Sequence, residues 1–546
     1  MYIVFVASEC APVAQAGGLG DVVFGLSGEL EKRGHAVDII LPKYDCMRYD
    51  HIWGLSVAYE DLPVPWYGGF IHSTVWFGFV HGRRCFFIDP HSQEEFFNRG
   101  QLYGTHDDVM RFAFFSRAAL EFMLRTNRRP DVIHCHDWQT ALVPVLLFEI
   151  YAQLGMQDQR VCYTIHNFAH QGSTGESVLW ATGLNYPERY FDELRLRDNG
   201  NPFALNLVKG GIVYSNFVTT VSPQHAWEAM NTDQGMGLGH TLYTHREKFG
   251  GVLNGIDYDV WNPEIDRFIP EHFSVERLEP KYAVKDALRE RLWLRKGLKP
   301  ILTYIGRLDR QKGVELIHHA LFYGLARGLQ VVIMGVSPDP EINAHFRHLK
   351  GFLNDNPDCH IELAFNVELS HLIYAGADML LMPSFFEPCG LAQMIALKYG
   401  TVPIVRAVGG LVDTVFDRDY SDRPPAERNG YVFEHTDDAA VESALDRAIE
   451  LWHTEPTEFR ALMSNGMRQD HSWTDPGGHY VNIYRHIAAH KPWVVAEQTA
   501  DDQLPAAVEV QREPAAARTQ ASRERVEVLR EEIETIADRA DRTKRR

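Results

Sequence analysis

Two α/β domains, each a parallel sheet covered by helices, are what this sequence predicts, and three observations predict them. The chain has 546 residues at 45% hydrophobic composition, too many for one compact core and enough for two domains of ordinary size plus a remainder. Short apolar runs of strand length alternate with segments whose apolar residues recur at helical spacing, the pattern of strands buried on both faces. That series starts twice, at the N-terminus and again at residue 301.

Taken in order, MYIVFVAS (1–8) is the first strand, and after a glycine turn Val22, Val23, Leu26 and Leu30 recur at helical spacing. AVDIILP then completes a strand, helix, strand unit. Similar runs return at DVIHCHDW (131–138), RVCYTIHNF (160–168) and NFVTTVSP (216–223). After GVLNGIDYDVWNP (251–263) a polar stretch precedes the second series. Its runs are ILTYIGRLDRQKG (301–313), QVVIMG (330–335), HIELAF (360–365), MLLMPS (379–384) and VPIVRAVGG (402–410). The division follows as 1–255 and 256–475. Two such sheets side by side leave a cleft at the carboxyl ends of their strands, so the chemistry belongs in the loops after the strands. From residue 494 the apolar runs give way to Ala, Gln, Arg and Glu. This tail, 494–546, reads as a solvated, partly helical segment, although Val526, Leu529, Ile533 and Ile536 are spaced for a partner-binding helix as well.

The net charge of −19 argues against nucleic acid or an anionic membrane as the main partner, because either needs a basic face. An anionic ligand needs local cations. The seven cysteines, at 10, 46, 85, 135, 162, 359 and 389, include no CxxC pair, which suits a reducing compartment. With no basic leader and no apolar run of about 18 residues, a cytoplasmic protein is expected.

Four loops could carry chemistry. In APVAQAGGLGDVV (11–23), Gly17, Gly18 and Gly20 let backbone amides approach an anion, or merely permit tight strand-to-helix packing. The spacing is neither GxGxxG nor a P-loop. In IGRLDRQKG, Arg307 and Lys312 lie five residues apart between Gly306 and Gly313, able to hold one diphosphate or to form a solvated basic turn. In PSFFEPCGLAQMIALKYG (383–400), a helix is expected to begin near Gly390, with the amides of Gly390, Leu391 and Ala392 toward a phosphate and Glu387 toward a polyhydroxylated ligand. Cys389 beside it reads as a packing residue rather than a reactive thiol. In HCHDW (134–138) and TIHNF (164–168), His134 and His136 share a strand face, but no further ligands recur at zinc spacing. Asp137 and His166 read instead as polar groups lining the cleft.

These stretches, in this order, resemble the bacterial glycogen synthases and plant starch synthases over about residues 1 to 490, carried by AGGLGDV, HCHDWQT, IHN, NGIDYDVWNP, GRLDRQKG, EPCGLAQM and GGLVDTV. The opening residues are similar to the cyanobacterial type. The resemblance implies the GT-B fold, two Rossmann-like domains facing each other across a deep cleft, and transfer of glucose from ADP-glucose to the nonreducing 4-hydroxyl of an α-1,4-glucan such as glycogen. The anomeric configuration is retained and no cofactor or metal is implied. It assigns Lys312 and Arg307 to the donor diphosphate, Glu387 to the donor glucose, and the amides after Cys389 to the phosphate. From the first domain His166 and Asp137 contact the glucose, Asn167 and Asn254 line the cleft, and Gln15, Gly17, Gly18 and Asp21 form one wall of the donor site. Phe365 takes the place of an adenine-stacking tyrosine, keeping the ring and losing the hydroxyl. Segment 476–493 matches the family's last helix, which crosses back to the first domain, with hinges there and near 250–265.

Three departures stand out. Gln15 occupies the position of a family lysine, Ala392 that of a common threonine, and Ile395 that of a glutamate found in the wider superfamily. Gln15 loses a charge near the donor phosphates, which predicts weaker donor affinity or looser nucleotide choice. A non-catalytic glucan-binding relative, or a transferase for another nucleotide sugar, are the rival readings. A phosphorylase-like enzyme would need a lysine-anchored pyridoxal phosphate, for which no motif is present. Oligomeric state is left open.

Overall fold

The computed structural model describes residues 1–489; the tail from residue 494, with its candidate helix, lies outside the described residues. The strands, in chain order, are β1 Tyr2–Val6, β2 Ala36–Pro42, β3 Ile52–Trp66, β4 Gly69–Val80, β5 Arg83–Pro90, β6 Val132–His136, β7 Arg160–Ile165, β8 Ser173–Thr174, β9 Leu205–Asn206, β10 Phe217–Thr220 and β11 Phe249–Gly251. The second series continues with β12 Ile301–Ile305, β13 Gln330–Met334, β14 Cys359–Glu362, β15 Met379–Met382, β16 Val402–Arg406 and β17 Tyr431–Phe433.

The first sheet runs β11-β10-β7-β6-β1-β2-β5-β4-β3. From β11 to β5 every pairing is parallel. The central strand shows why: Ile3, Val4, Phe5 and Val6 are fully buried, each contributing about 1.5–3 kcal/mol, as strands covered on both faces require. The sequence reading passes over the antiparallel extension, β5 to β4 to β3. β8 and β9 form a separate two-stranded ribbon.

The second sheet is wholly parallel and runs β14-β13-β12-β15-β16-β17. Numbered from β12, that is the 3-2-1-4-5-6 order of doubly wound sheets. Its switch point therefore falls between β12 and β15. In the first sheet the corresponding point lies between β1 and β6, since β2 lies beyond β1 and β7 beyond β6.

The helix Thr474–Ala489 packs on the first sheet: Tyr480, Val481, Tyr484 and Ile487 are buried in the core built on β1, β6 and β7. Ahead of it, Trp473 lies against the helix Gly18–Lys32. A Cβ on Gly25 would sit 2.0 Å from the indole Nε1, so only glycine admits this packing. Where the chain leaves the first sheet, the Ile256 amide donates to the His471 carbonyl at 2.8 Å, so the two crossing segments run side by side. Among the described residues no helix is long and apolar enough to cross a membrane.

Candidate active site

The loops after β12 and β15 flank the second sheet's switch point. Asp309 Oδ1 accepts from the Lys312 amide at 3.0 Å, folding the turn Arg310–Lys312, while Asp309 Oδ2 lies 3.3 Å from Arg307 Nη1. The Arg307 side chain is 50% exposed, free to meet a ligand. Lys312 reaches across to the other loop, its Nζ 2.6 Å from Glu387 Oε2. Ser384 Oγ donates to the same oxygen at 3.0 Å. Glu387 Oε1 accepts no hydrogen bond among the described residues.

The helix after Glu387 is Ala392–Lys398 with Leu391 as its N-cap. It starts two residues later than expected because Gly390 takes a left-handed φ of 73°. No side chain caps it, and the first amides of a helix have no acceptor within it. Cys389 is buried and its thiol pushed up to about 12 by burial, a packing residue and not a nucleophile. Gly409, φ 47°, would place a Cβ 2.1 Å from the Glu387 carbonyl oxygen, so glycine alone lets the loop after β16 back this turn.

The first domain grips the same turn. Ser222 Oγ donates to the Pro388 carbonyl at 2.7 Å. The Gly409 amide meets both Glu228 oxygens, at 3.0 and 3.1 Å. Asn254 lies beside the Cys389 thiol, and among the described residues its buried Oδ1 has no hydrogen-bond partner.

At the first sheet's switch point, Asp137 directly follows β6 with a φ of 56° and ψ of −177°, a conformation that costs a non-glycine residue about 1–3 kcal/mol. Its Oδ1 accepts from the amides of His166 and Asn167 at 2.6 and 3.4 Å. Burial pushes the Asp137 carboxyl up to about 7 and holds the His166 imidazole down at about 3, so His166 is neutral at pH 7. Its Nε2 lies 3.1 Å from His136 Nδ1. His134 is satisfied by protein partners, with Nε2 2.7 Å from Thr164 Oγ1 and Nδ1 2.7 Å from the Tyr484 hydroxyl. Burial and the Arg307 charge lower the His170 imidazole, which puts Arg307 within electrostatic reach of the first domain.

The glycine loop holds an anion of its own. Glu9 Oε2 accepts from the amides of Ala16 and Gly17 at 2.7 and 3.1 Å, and Oε1 from the Tyr103 hydroxyl at 2.7 Å. These amides are therefore not spare donors for a phosphate. Gln15 Nε2 donates to Asp21 Oδ2 at 2.8 Å, and burial lifts the Asp21 carboxyl to about 7. Gly18 faces the second domain, where a Cβ would lie 3.4 Å from Leu391 Cδ1. The geometry thus gathers Gln15, Gly17, Gly18, Asp21, Asp137, His166, Asn167 and Asn254 on one side and Arg307, Lys312, Glu387 and residues 389–392 on the other. Phe365, 75% exposed beyond β14, stands apart from these contacts.

Glu9, Ser384 and Glu228 escape the sequence reading, and His136, weighed there only as a zinc ligand, proves to be a neighbour of His166. Glu9 had a signal: an acidic residue directly after a fully apolar strand is a buried carboxylate looking for donors. Glu228 had none, since its partner is a backbone amide 181 residues away.

A family model described as starch synthase catalytic domain matches residues 2–244, and one described as glycosyl transferases group 1 matches residues 285–469. The chain is 67% identical over 488 residues to glycogen synthase 1 of Synechococcus sp. strain JA-3-3Ab, covering 89% of this chain and 99% of that protein. To the probable glycogen synthase 2 of Nostoc sp. strain PCC 7120 it is 65% identical with the same coverage. The catalytic domain of starch synthase IV from Arabidopsis thaliana, solved bound to ADP and acarbose, matches with a TM-score of 0.87 at 42% identity, over 90% of this chain and 99% of that one.

Proposed function

This chain belongs to the family of glycogen and starch synthases, glycosyltransferases of the GT-B fold, and on that premise we propose that it moves glucose from ADP-glucose to the nonreducing 4-hydroxyl of an α-1,4-glucan with retention. The observation that carries this reading is the pairing of Lys312 with Glu387 at one switch point, beside the half-exposed Arg307. Starch synthase IV was solved with ADP and acarbose, a nucleoside diphosphate and a glucan-like ligand, which supports the same pair of substrates here. All seven cysteines are free, in keeping with the cytoplasmic location we infer.

In this mechanism Arg307 and Lys312 lie along the donor diphosphate, and the free amides before and at the start of the helix Ala392–Lys398 take its distal oxygens. Glu387 accepts from the glucose hydroxyls, as do neutral His166 and Asp137 from the opposite wall. The bond from the anomeric carbon to the diphosphate breaks as the bond to the acceptor oxygen forms on the same face. The acceptor proton passes to the departing phosphate oxygen. Charge grows on the diphosphate during this step, so the cations act most strongly in the transition state, and one such contact contributes about 2–4 kcal/mol.

The test is transfer of labelled glucose to glycogen from ADP-glucose and, separately, from UDP-glucose. Transfer from ADP-glucose is expected. No transfer from either donor, with glucan binding intact, would establish a non-catalytic glucan-binding protein instead.

A further inference from the structure

The helix Pro223–Asn231 follows β10 and belongs to the first domain, yet its first turns hold on to the second. Ser222, its N-cap, donates to the Pro388 carbonyl at 2.7 Å, and the Gln224 amide donates to Asp413 Oδ2 at 3.0 Å. One turn on, the Glu228 carboxylate takes the Gly409 amide on both oxygens and accepts from Gln224 Nε2 at 3.0 Å. Glu228 is buried. Burial raises its carboxyl, but His225, the Gly409 amide and Gln224 together hold it below the usual carboxylate range, so it meets the amide as a charged acceptor.

What that contact holds is the turn carrying Glu387. The Gly410 amide donates to the carbonyls of Glu387 and Pro388, at 3.2 Å each. A Cβ on Gly410 would lie 2.2 Å from the Cys389 carbonyl oxygen, so this glycine, like Gly409, lies flush against the turn. The start of the turn is tied from within the second domain. Arg406 Nη1 donates to the carbonyls of Ser384 and Phe385 at 3.2 and 3.1 Å, and Gln311 Nε2 to that of Phe386 at 3.2 Å. The end of the turn, where Glu387 stands, rests instead on Gly409 and Gly410, and Gly409 takes its acceptor from across the cleft. Arg406 feels the same carboxylate, since the Glu228 charge acts to raise its guanidinium against burial. One first-domain charge thus bears on both ends of the Glu387 turn.

We propose that Glu228 is a positioning residue for Glu387, fixing Gly409 and through it the Glu387 turn, so that the carboxylate facing the donor glucose is set only while the two domains are in contact. The proposal rests on the reading of Glu387 as the donor-glucose contact. Glu228 acts through backbone that it holds and meets no substrate itself. With the domains apart, the Gly409 amide loses its acceptor and the end of the turn is free to shift. A donor bound to the second domain alone is then held by its diphosphate and not by its glucose, which ties the orientation of the sugar to closure of the cleft.

The test compares Glu228→Ala and Glu228→Gln with the parent, all as the full chain. Calorimetric titration with ADP and with ADP-glucose, in the absence of glucan, reads the two ends of the donor separately. For Glu228→Ala the Kd for ADP-glucose is expected to rise about fivefold, with that for ADP within about twofold of the parent. Its kcat is expected to fall about tenfold to thirtyfold with the KM for glycogen unchanged. Glu228→Gln still offers the Gly409 amide an oxygen and should recover both rate and affinity to within about threefold of the parent. If Glu228→Ala does not fold, Glu228→Asp, which draws the carboxylate back by one methylene, takes its place and shows the same split at smaller size. Equal weakening toward ADP and ADP-glucose overturns the proposal, because a residue that merely supports the domain contact moves both. Unchanged rate and affinity overturn it as well, as does a Gln variant no better than Ala. Binding needs no turnover, so a parent that binds both nucleotides and transfers no glucose refutes the proposed function while leaving the ratio of affinities readable.

Discussion

Lys312 Nζ stands 2.6 Å from Glu387 Oε2 although 75 residues separate them, and Ser384 completes the contact from below. Both side chains are largely withdrawn from water, 19% and 7% exposed. Removing one partner of such a pair strands a charge, at a cost of about 3–5 kcal/mol when burial is full. Lys312→Ala is therefore expected to lower kcat about 10²–10³-fold and also to lower Tm. In the double variant Lys312→Ala, Glu387→Ala the stranded charge is gone, so its Tm should lie no lower than either single variant's. Calorimetry beside the transfer assay checks both; strictly additive losses of Tm would show that the two groups do not act as a pair.

Gln15 gives the first domain an amide where the sequence resemblance implies a lysine, and that amide is already engaged with Asp21 at 2.8 Å. Gln15→Lys places an ammonium beside a carboxyl that burial holds near 7, which draws Asp21 into its charged form and adds a cation at the rim. The expected result is a KM for ADP-glucose lower by about threefold to tenfold with kcat little changed, the signature of binding gained equally in ground and transition states. Initial rates with ADP-glucose and UDP-glucose decide it. An unaltered KM for both would mean that Arg307 and Lys312 already satisfy the diphosphate.

Asp137 titrates at about 7 in the fold against 3.8 ordinarily. Between those values the folded protein keeps a proton that the unfolded chain has released. The contribution of Asp137 to stability therefore falls as pH rises from about 4 through 7, opposed by that of His166, whose imidazole burial holds at about 3. Asp137→Asn keeps an oxygen to accept from the His166 amide and removes this titration, so its Tm relative to the parent's should rise as pH rises over the same interval. Asp21, with the same value from burial, leaves a residual slope. Thermal melts of parent and variant at four pH values across the interval measure the difference; parallel curves would remove Asp137 as a source.

The residues that end parallel strands were legible because burial on both faces writes each strand as an unbroken apolar run, and the loop after it starts where the run stops. Arg307, Lys312, Glu387, Asp137 and His166 all stand in such loops. The hairpin of β3 and β4 was not, because Trp53, Leu55 and Val57 are exposed at the sheet's outer edge, so their apolar character tracks no core. The contact of Lys312 with Glu387 depends on β12 and β15 being neighbours, a matter of strand order that no local pattern encodes. The glycine loop reads in the sequence as a place where amides approach an anionic ligand, whereas the amides of Ala16 and Gly17 meet Glu9, which only the turn's geometry shows.

His136 contacts none of the substrate-facing groups except His166, whose Nε2 it meets at 3.1 Å. It is itself fully buried, kept neutral by burial, and its ring centroid lies 4.1 Å from that of His134 with the two planes tilted by 34°. His134 in turn is tied to Tyr484 of the helix Thr474–Ala489. The arrangement makes His136 a positioning residue that fixes the ring and the tautomer of His166. His136→Phe keeps an aromatic ring against His134 and deletes the hydrogen bond, which is worth about 0.5–1.5 kcal/mol. The expected outcome is a fall in kcat of up to about tenfold with the KM for glycogen unchanged, because the glucan does not touch this residue. His136→Asn, which can still present a hydrogen-bonding group, should recover part of the rate while packing less well. Steady-state kinetics and melting curves on the two variants separate the roles: if rate follows Tm across them, His136 serves only the core, and if rate follows the hydrogen bond, it serves His166.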